Sequence, residues 1–196
     1  MSIPAKATPT DAPIVAILTD RWSPVHFADT PLTDDEVSAL FEAARWAPSS
    51  YNEQPWIYVY AQSNDGDERI KMESLLAEGN AWAKKAGLLI VSCTKKTFNR
   101  NDKPNHHAMH DLGAATIQMI LEATNRGLIS HQMAGFDMTK AKAILGVPEG
   151  YEPGSMIAIG HAGDPKTMTP EMQERESGPR QRKKVSEFVF HKSVKK

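Results

Sequence analysis

Four short stretches carry residue types that could do chemistry. The first is Pro48-Ser49-Ser50-Tyr51-Asn52-Glu53-Gln54-Pro55-Trp56. It is rich in hydrogen-bonding side chains, and a loop there leaves backbone N–H groups free for a planar, polar ligand. An ordinary connection would use the same Ser, Asn and Pro residues. The second is Arg21-Trp22-Ser23-Pro24. A guanidinium and a hydroxyl two residues apart suit phosphate oxygens, because guanidinium presents a rigid fork of donors. A surface ion pair is the plainer reading. The third is Arg180-Gln181-Arg182-Lys183-Lys184. On an extended segment Arg180 and Arg182 point the same way and could grip one phosphate together. A solvated basic tail is the alternative. The fourth is His106-His107-Ala108-Met109-His110-Asp111. Helical spacing puts His106 and His110 on one face, which can hold a metal, but no HExxH pattern accompanies it.

Other chemistries lack their signatures. No GxGxxG or GxxxxGK[ST] is present, so neither a dinucleotide fingerprint nor a P-loop is supported. A GxSxG nucleophile elbow is also missing. Cys93 sits in an apolar run and reads as a small buried hydrophobe rather than a nucleophile.

The elements that must position these stretches follow from the apolar pattern. Asp11 to Asp20 reads as a short helix with Pro13 in its first turn. Thr33-Asp34-Asp35-Glu36 is a capping-box pattern. Val37, Leu40, Phe41 and Ala44 continue it as one apolar helix face, and Pro48 stops the helix near Trp46. Trp56 to Tyr60 is a strand, Asn64-Asp65-Gly66 a turn, and Asp67 to Glu78 a helix broken at Gly79. Ala81 to Lys85 is a second helical piece. Leu88 to Cys93 is a continuous apolar run, hence a central strand. Asn105 is placed to cap a long helix reaching about Asn125, with Gly113-Ala114-Ala115 inside it suggesting close approach of another backbone. Leu128 to Ser130 and Met156 to Gly160 read as strands, and Thr139 to Leu145 as a helix. Pro165 to Pro179 reads as a polar loop and Val185 to Phe190 as strand-like.

Composition bounds the whole. The chain of 196 residues is 40% hydrophobic and 24% charged, ordinary globular usage that argues against disorder. It is long enough for one domain with a sizeable core. Lys+Arg 23 against Asp+Glu 24 leaves a formal charge of −1, so no global basic excess advertises nucleic acid. A single cysteine excludes an intrachain disulfide. The longest uncharged apolar stretch is Ala86 to Thr94, far below the ~20 residues of a membrane span. Residues 1–10 carry no apolar h-region and are expected to be a flexible segment ahead of one domain at 11–196. The expected location is cytoplasmic.

Taken together and in order, these segments resemble the FMN-dependent nitroreductase family. Arg21 to Pro24 matches first, then Glu42 to Trp56. His110 to Ala115, Gly127-Leu128, His131 to Asp137, Ile157 to Gly160 and Arg180 to Arg182 follow. The resemblance spans about Asp20 to Phe190, and its AARWAPSSxNxQPW stretch is the specific part. It implies an α+β fold with a central, mostly antiparallel sheet flanked by helices, in an intertwined homodimer with FMN at the subunit interface. Arg21 and Ser23 would contact the ribityl phosphate, with Arg180 and Arg182 completing the grip and Trp22 also at the cofactor. Ser49, Ser50 and Asn52 would reach the cofactor from the other subunit, Asn52 near the pyrimidine edge of the flavin, and Pro48 and Gln54 would also be cofactor-binding. Gln132, Met133 and Gly135 would lie beside the flavin ring. Val25 stands where the family often has a second basic residue, and His26 after it would point away. Ala134 stands where an acid is frequent. The implied activity is an FMN-dependent NAD(P)H oxidoreductase, passing hydride by a ping-pong route through flavin N5. NADH or NADPH would be the donor, and a nitroaromatic, a quinone or a related small molecule the acceptor. No protein acid or base is needed, since the flavin does the chemistry. A flavin-dependent dehydrogenase or dehalogenase on the same fold, or a non-catalytic FMN-binding protein, is the alternative. No metal, nucleic acid or membrane partner is expected.

Overall fold

The computed structural model describes residues 5–194. The core of the fold is a four-stranded antiparallel sheet built from β1 (Trp56–Gln62), β2 (Leu88–Lys95), β3 (Ile129–Met133) and β4 (Tyr151–Gly160), in the order β1-β2-β4-β3. β2 is interior to the sheet, paired with β1 on one side and β4 on the other. Its side chains are buried from Leu88 to Thr94, which is why it reads as a continuous apolar run rather than an alternation.

Both faces of the sheet are covered. Leu88, Ile90, Ile157 and Ile159 meet α2 (Asp34–Arg45) and α4 (Ala108–Asn125) through Leu40, Ala115 and Met119. Leu89, Val91, Cys93 and Ala158 point the other way. They pack under α3 (Asp67–Glu73), the 3₁₀ segment Glu78–Lys85 and α5 (Met138–Ile144), with Met72, Leu75 and Ala141 among their neighbours. The capping box starts α2 as expected: the Thr33 hydroxyl accepts from the Glu36 N–H, and the Glu36 carboxylate accepts from the Thr33 N–H.

Several boundaries differ from the sequence expectation. α1 is confined to Ala16–Asp20, so Pro13 precedes the helix. α3 ends at Glu73, and the chain from Glu78 is a 3₁₀ turn. His107, not Asn105, is the N-cap of α4; the Asn105 side chain accepts from the His107 N–H one turn earlier. β4 begins at Tyr151, with a bulge opposite Val91 and Cys93. The expected loop at Pro165 to Pro179 contains a helix, α6 (Pro170–Ser177). It was hidden because it buries no apolar residue. Its capping signature is present, however: the Thr169 side chain accepts from Met172 N–H, and Pro170 occupies the first turn. The strand-like Val185 to Phe190 is not a strand. It forms a 3₁₀ turn at Val185–Glu187, pairs with none of the four strands and is exposed throughout. Its β-branched and aromatic residues reflect an uncovered apolar surface rather than a ladder.

Of the amino-terminal segment, residues 1–4 lie outside the described residues. Within the remainder, Lys6 Nζ donates to the Glu176 carbonyl and the Thr8 hydroxyl to the Thr19 carbonyl. None of the helices of the described residues is long and apolar enough to cross a membrane.

Candidate functional site

The structure gathers the expected site residues into two groups. The first forms where α1 and the segment after it meet the carboxyl-terminal chain. Arg21, Arg180 and Arg182 wall a cavity of 300 Å³ together with Thr8, Thr10 and Ile14. Arg21 also lies 3.4 Å from the Ser23 hydroxyl, to which it donates. The Arg180 guanidinium is turned inward. It donates to the Thr8 hydroxyl and to the carbonyls of Thr19 and Arg21. Among the described residues Arg182 donates only to the carbonyl of its own neighbour, Gln181.

Three guanidinium groups in one cavity repel one another. The pKa of Arg21 is pushed down, first by burial and then by Arg180 and Arg182. Arg180 is lowered by burial and by Arg182, with Asp20 opposing. Among the described residues no carboxylate forms an ion pair with any of the three. A phosphate in such a cavity would supply both opposite charge and enough acceptor oxygens for several guanidinium donors.

The segment bearing Arg21 is held by residues that the sequence reading did not single out. Glu176, on α6, accepts from the N–H groups of Val25 at 2.7 Å and His26 at 3.2 Å. His131 Nδ1 donates to the Pro24 carbonyl at 3.0 Å, and its ring lies 4.6 Å from that of Trp82. Burial lowers the His131 pKa, so the ring is neutral at pH 7 and keeps one nitrogen as a fixed donor. Trp22 is buried, with the Lys6 ammonium 4.4 Å from its ring centre. His26 faces away from the arginines, its Nε2 3.0 Å from both the Asp164 carbonyl and the Thr167 hydroxyl. Only the Thr169-Pro170 start of α6 could have flagged the Glu176 clamp.

β3 and the turn after it carry the next residues. Gln132 is exposed, and its side-chain oxygen accepts from Ser155 at 3.4 Å. The Met133 side chain is buried in the core, so only its backbone is offered outward. Gly135 has an internal reason for being glycine: a Cβ there would stand 2.8 Å from the Asn80 amide nitrogen. That amide donates to the Gly135 carbonyl.

The second group is the loop between α2 and β1. Tyr51, Asn52 and Gln54 all have φ near +50°, a left-handed backbone that side chains rarely adopt. The loop is braced from within and from α4. The Ser49 hydroxyl accepts from Gln54 N–H, and the buried Asp111 carboxylate accepts from Ser50 N–H at 3.0 Å. Pro48, Ser49 and Ser50 wall a separate cavity of 280 Å³ with His107, His110 and Asp111. That cavity shares no residue with the arginine cavity. His110 Nδ1 lies 3.3 Å from Asp111. Among the described residues no three His, Cys, Asp or Glu side chains converge as metal ligands.

Cys93 is fully buried, and burial pushes its thiol up to about 11, which keeps it protonated.

Fold and site together define a class: an α+β protein with a cavity walled by three arginines that, among the described residues, form no ion pair, and with a strained polar loop elsewhere. The pattern of the nitroreductase family matches residues 18–81 and 73–161, and the chain belongs to this family. A 15.4 kDa protein of Mycolicibacterium smegmatis, itself uncharacterized, is 39% identical over 119 residues, covering 61% of this chain and 79% of its own. An Archaeoglobus fulgidus protein provisionally named NADH dehydrogenase/NAD(P)H nitroreductase is 26% identical over 144 residues, covering 71% and 80%. Among solved structures, an oxidoreductase containing FMN superposes with a TM-score of 0.90 at 29% identity, covering 98% of both chains.

Proposed function

We propose that the protein is an FMN-dependent oxidoreductase that takes electrons from NADH or NADPH and passes them to a small aromatic or quinone acceptor. The observation that carries the reading is the cavity of Arg21, Arg180 and Arg182, three cations with no carboxylate in ion-pair range among the described residues. The phosphate of FMN is close to a dianion at pH 7 and fits that donor set. The FMN-containing neighbour, and the nicotinamide in the name of the A. fulgidus protein, support the same assignment.

FMN, when bound, supplies the hydride chemistry, accepting from the nicotinamide and giving to the acceptor. The chain's own residues bind and orient. Arg21 and Arg182 meet the phosphate directly, with the Ser23 hydroxyl beside them. Arg180 fixes the carbonyls of Thr19 and Arg21, and so holds α1 and the Arg21 segment in register. The Gln132 amide and the backbone of Met133 and Gly135 border the ring from β3. Pro48, Ser49, Ser50, Asn52 and Gln54 act from the loop of a second copy, a reading supported by the separation of the two cavities within one chain. Exposed Met109 and Ile117 on α4, with open space at Gly113 between them, supply an apolar stripe for that copy.

The test is direct. FMN titrated into the flavin-free protein is expected to shift its visible spectrum and lose fluorescence as it binds. NADH or NADPH is then expected to bleach the flavin, and a nitroaromatic or quinone to restore it. A protein that takes up no FMN overturns the reading. One that binds FMN but is bleached by neither nicotinamide is a flavin-binding protein of another kind.

A further inference from the structure

The loop Ser49–Gln54 is buttressed by a hairpin that the proposed function does not use. The chain after β2 turns back on itself through a bridge between Thr97 and Pro104, with Phe98 N–H donating to Lys103 O at 2.9 Å. The hairpin is docked on the loop by Asn99 N–H, which donates to the Glu53 carboxylate at 2.6 Å. At this junction the Arg100 guanidinium lies 4.3 Å from the Tyr51 ring centre and 5.3 Å from that of Phe98. The two rings meet edge to face at 5.9 Å. Tyr51 is 75% exposed and carries the left-handed backbone at φ 54°.

This is a costly way to place one cation. A large ring is held in solvent on a disfavoured backbone, and its visible work is to bear a guanidinium. A guanidinium resting on aromatic rings keeps its N–H edge free, and among the described residues Arg100 has no ion pair or hydrogen bond. The acids of the loop and the hairpin, Glu53 and Asp102, form no ion pair with it among the described residues. The Glu53 carboxylate accepts from Asn99 N–H, and among the described residues Asp102 forms no ion pair. Lys103, and Lys95, which bonds Asn99, add to the positive field.

We infer that Arg100, oriented by Tyr51 and Phe98, is a specificity determinant that recognises an anionic oxygen group on the redox substrate. The inference rests on the flavin reading above, which brings Ser49, Ser50 and Asn52, on either side of Tyr51, to the cofactor. The anion has two sources, a carboxylate on the acceptor or a phosphate of the nicotinamide donor.

The test uses the FMN-loaded protein and the variants Arg100→Ala, Arg100→Lys and Tyr51→Ala. FMN affinity and bleaching are measured first. Failure there overturns the flavin reading and this inference with it, whereas intact flavin chemistry isolates the inference. Steady-state kcat/KM is then compared for 4-nitrobenzoate against 4-nitrobenzamide, and for NADPH against NADH. Arg100→Ala is expected to lower kcat/KM for the anionic partner roughly fivefold or more through KM. FMN affinity and the 4-nitrobenzamide rate are expected to stay unchanged. Arg100→Lys restores part of the loss, and added salt erodes the difference. Tyr51→Ala, which keeps the charge but frees the guanidinium, moves KM in the same direction. A loss confined to 4-nitrobenzoate assigns the acceptor carboxylate. One confined to NADPH assigns its 2′-phosphate, and one shared by both nicotinamides assigns the diphosphate. No selective loss, or an equal loss on 4-nitrobenzamide, overturns the inference.

Discussion

Replacing Arg182 by alanine separates a ligand-binding role from a structural one. Its guanidinium is exposed, donates among the described residues only to the adjacent Gln181 carbonyl, and disfavours the charges of Arg21 and Arg180. Without FMN, therefore, Arg182→Ala is expected to leave stability within about 0.5 kcal/mol of the parent, or slightly above it. With FMN the sign reverses. One lost charge-assisted hydrogen bond costs about 1.5–3 kcal/mol, or roughly 10- to 150-fold in Kd. At FMN one hundred times the parent Kd, binding stabilises the parent by about 2.7 kcal/mol. A variant ~30-fold weaker keeps only about 0.9 kcal/mol at the same FMN concentration. For a chain of this size that difference is roughly 4–8 °C in melting temperature. The assay is thermal unfolding of parent and variant, each with and without FMN, beside a fluorescence titration for Kd. Equal destabilisation with and without FMN would refute the argument, because it would make Arg182 a scaffold residue. An unchanged Kd would refute it equally.

Three further outcomes are expected. The buried Arg69 guanidinium bonds Glu73 and the carbonyls of Lys84 and Ala86; Arg69→Met strands these acceptors and is expected to cost about 3–5 kcal/mol in denaturant unfolding. The Cys93 thiol, buried with its pKa raised to about 11, is expected to resist thiol reagents at pH 8 until the protein unfolds, and fast labelling of the native protein would contradict the packing. His131 has its folded pKa lowered by burial, so its contribution is complete above the unfolded value of about 6.5. As pH falls below that value the unfolded chain binds the proton first, and stability declines towards the folded pKa; the melting temperature of His131→Asn is expected to fall less between pH 7 and 5 than that of the parent.

Much of the fold is legible because the signals are local. The Thr33–Glu36 capping box, the apolar run at Leu88–Cys93 and the β-branched and aromatic Trp56–Tyr60 each carry their own physics in adjacent residues. α6 was not legible, since a helix with no buried residue shows no apolar period. The tail at Val185–Phe190 misled in the opposite sense: a strand composition does not supply a pairing partner, and among the described residues it pairs with none of the four strands.

By itself the sequence determined the residue types of the site and their order: Arg21 and Ser23, the polar loop at Pro48–Gln54, the small residues of α4, and the basic pair at Arg180 and Arg182. Tertiary structure alone decided which of them meet. Arg21 and Arg180, far apart in the chain, share one cavity, while the Ser49–Gln54 loop opens into another. It also divided the work between the two carboxyl-terminal arginines, turning Arg180 onto the carbonyls of Thr19 and Arg21 and leaving Arg182 bonded to the carbonyl of its own neighbour, Gln181. The Glu176 clamp and the Tyr51–Arg100 stack belong to that same level. Spacing along a chain fixes which face of an element a side chain takes. Only the packing of distant elements fixes which charges are left without partners, and those charges are what an anionic ligand finds.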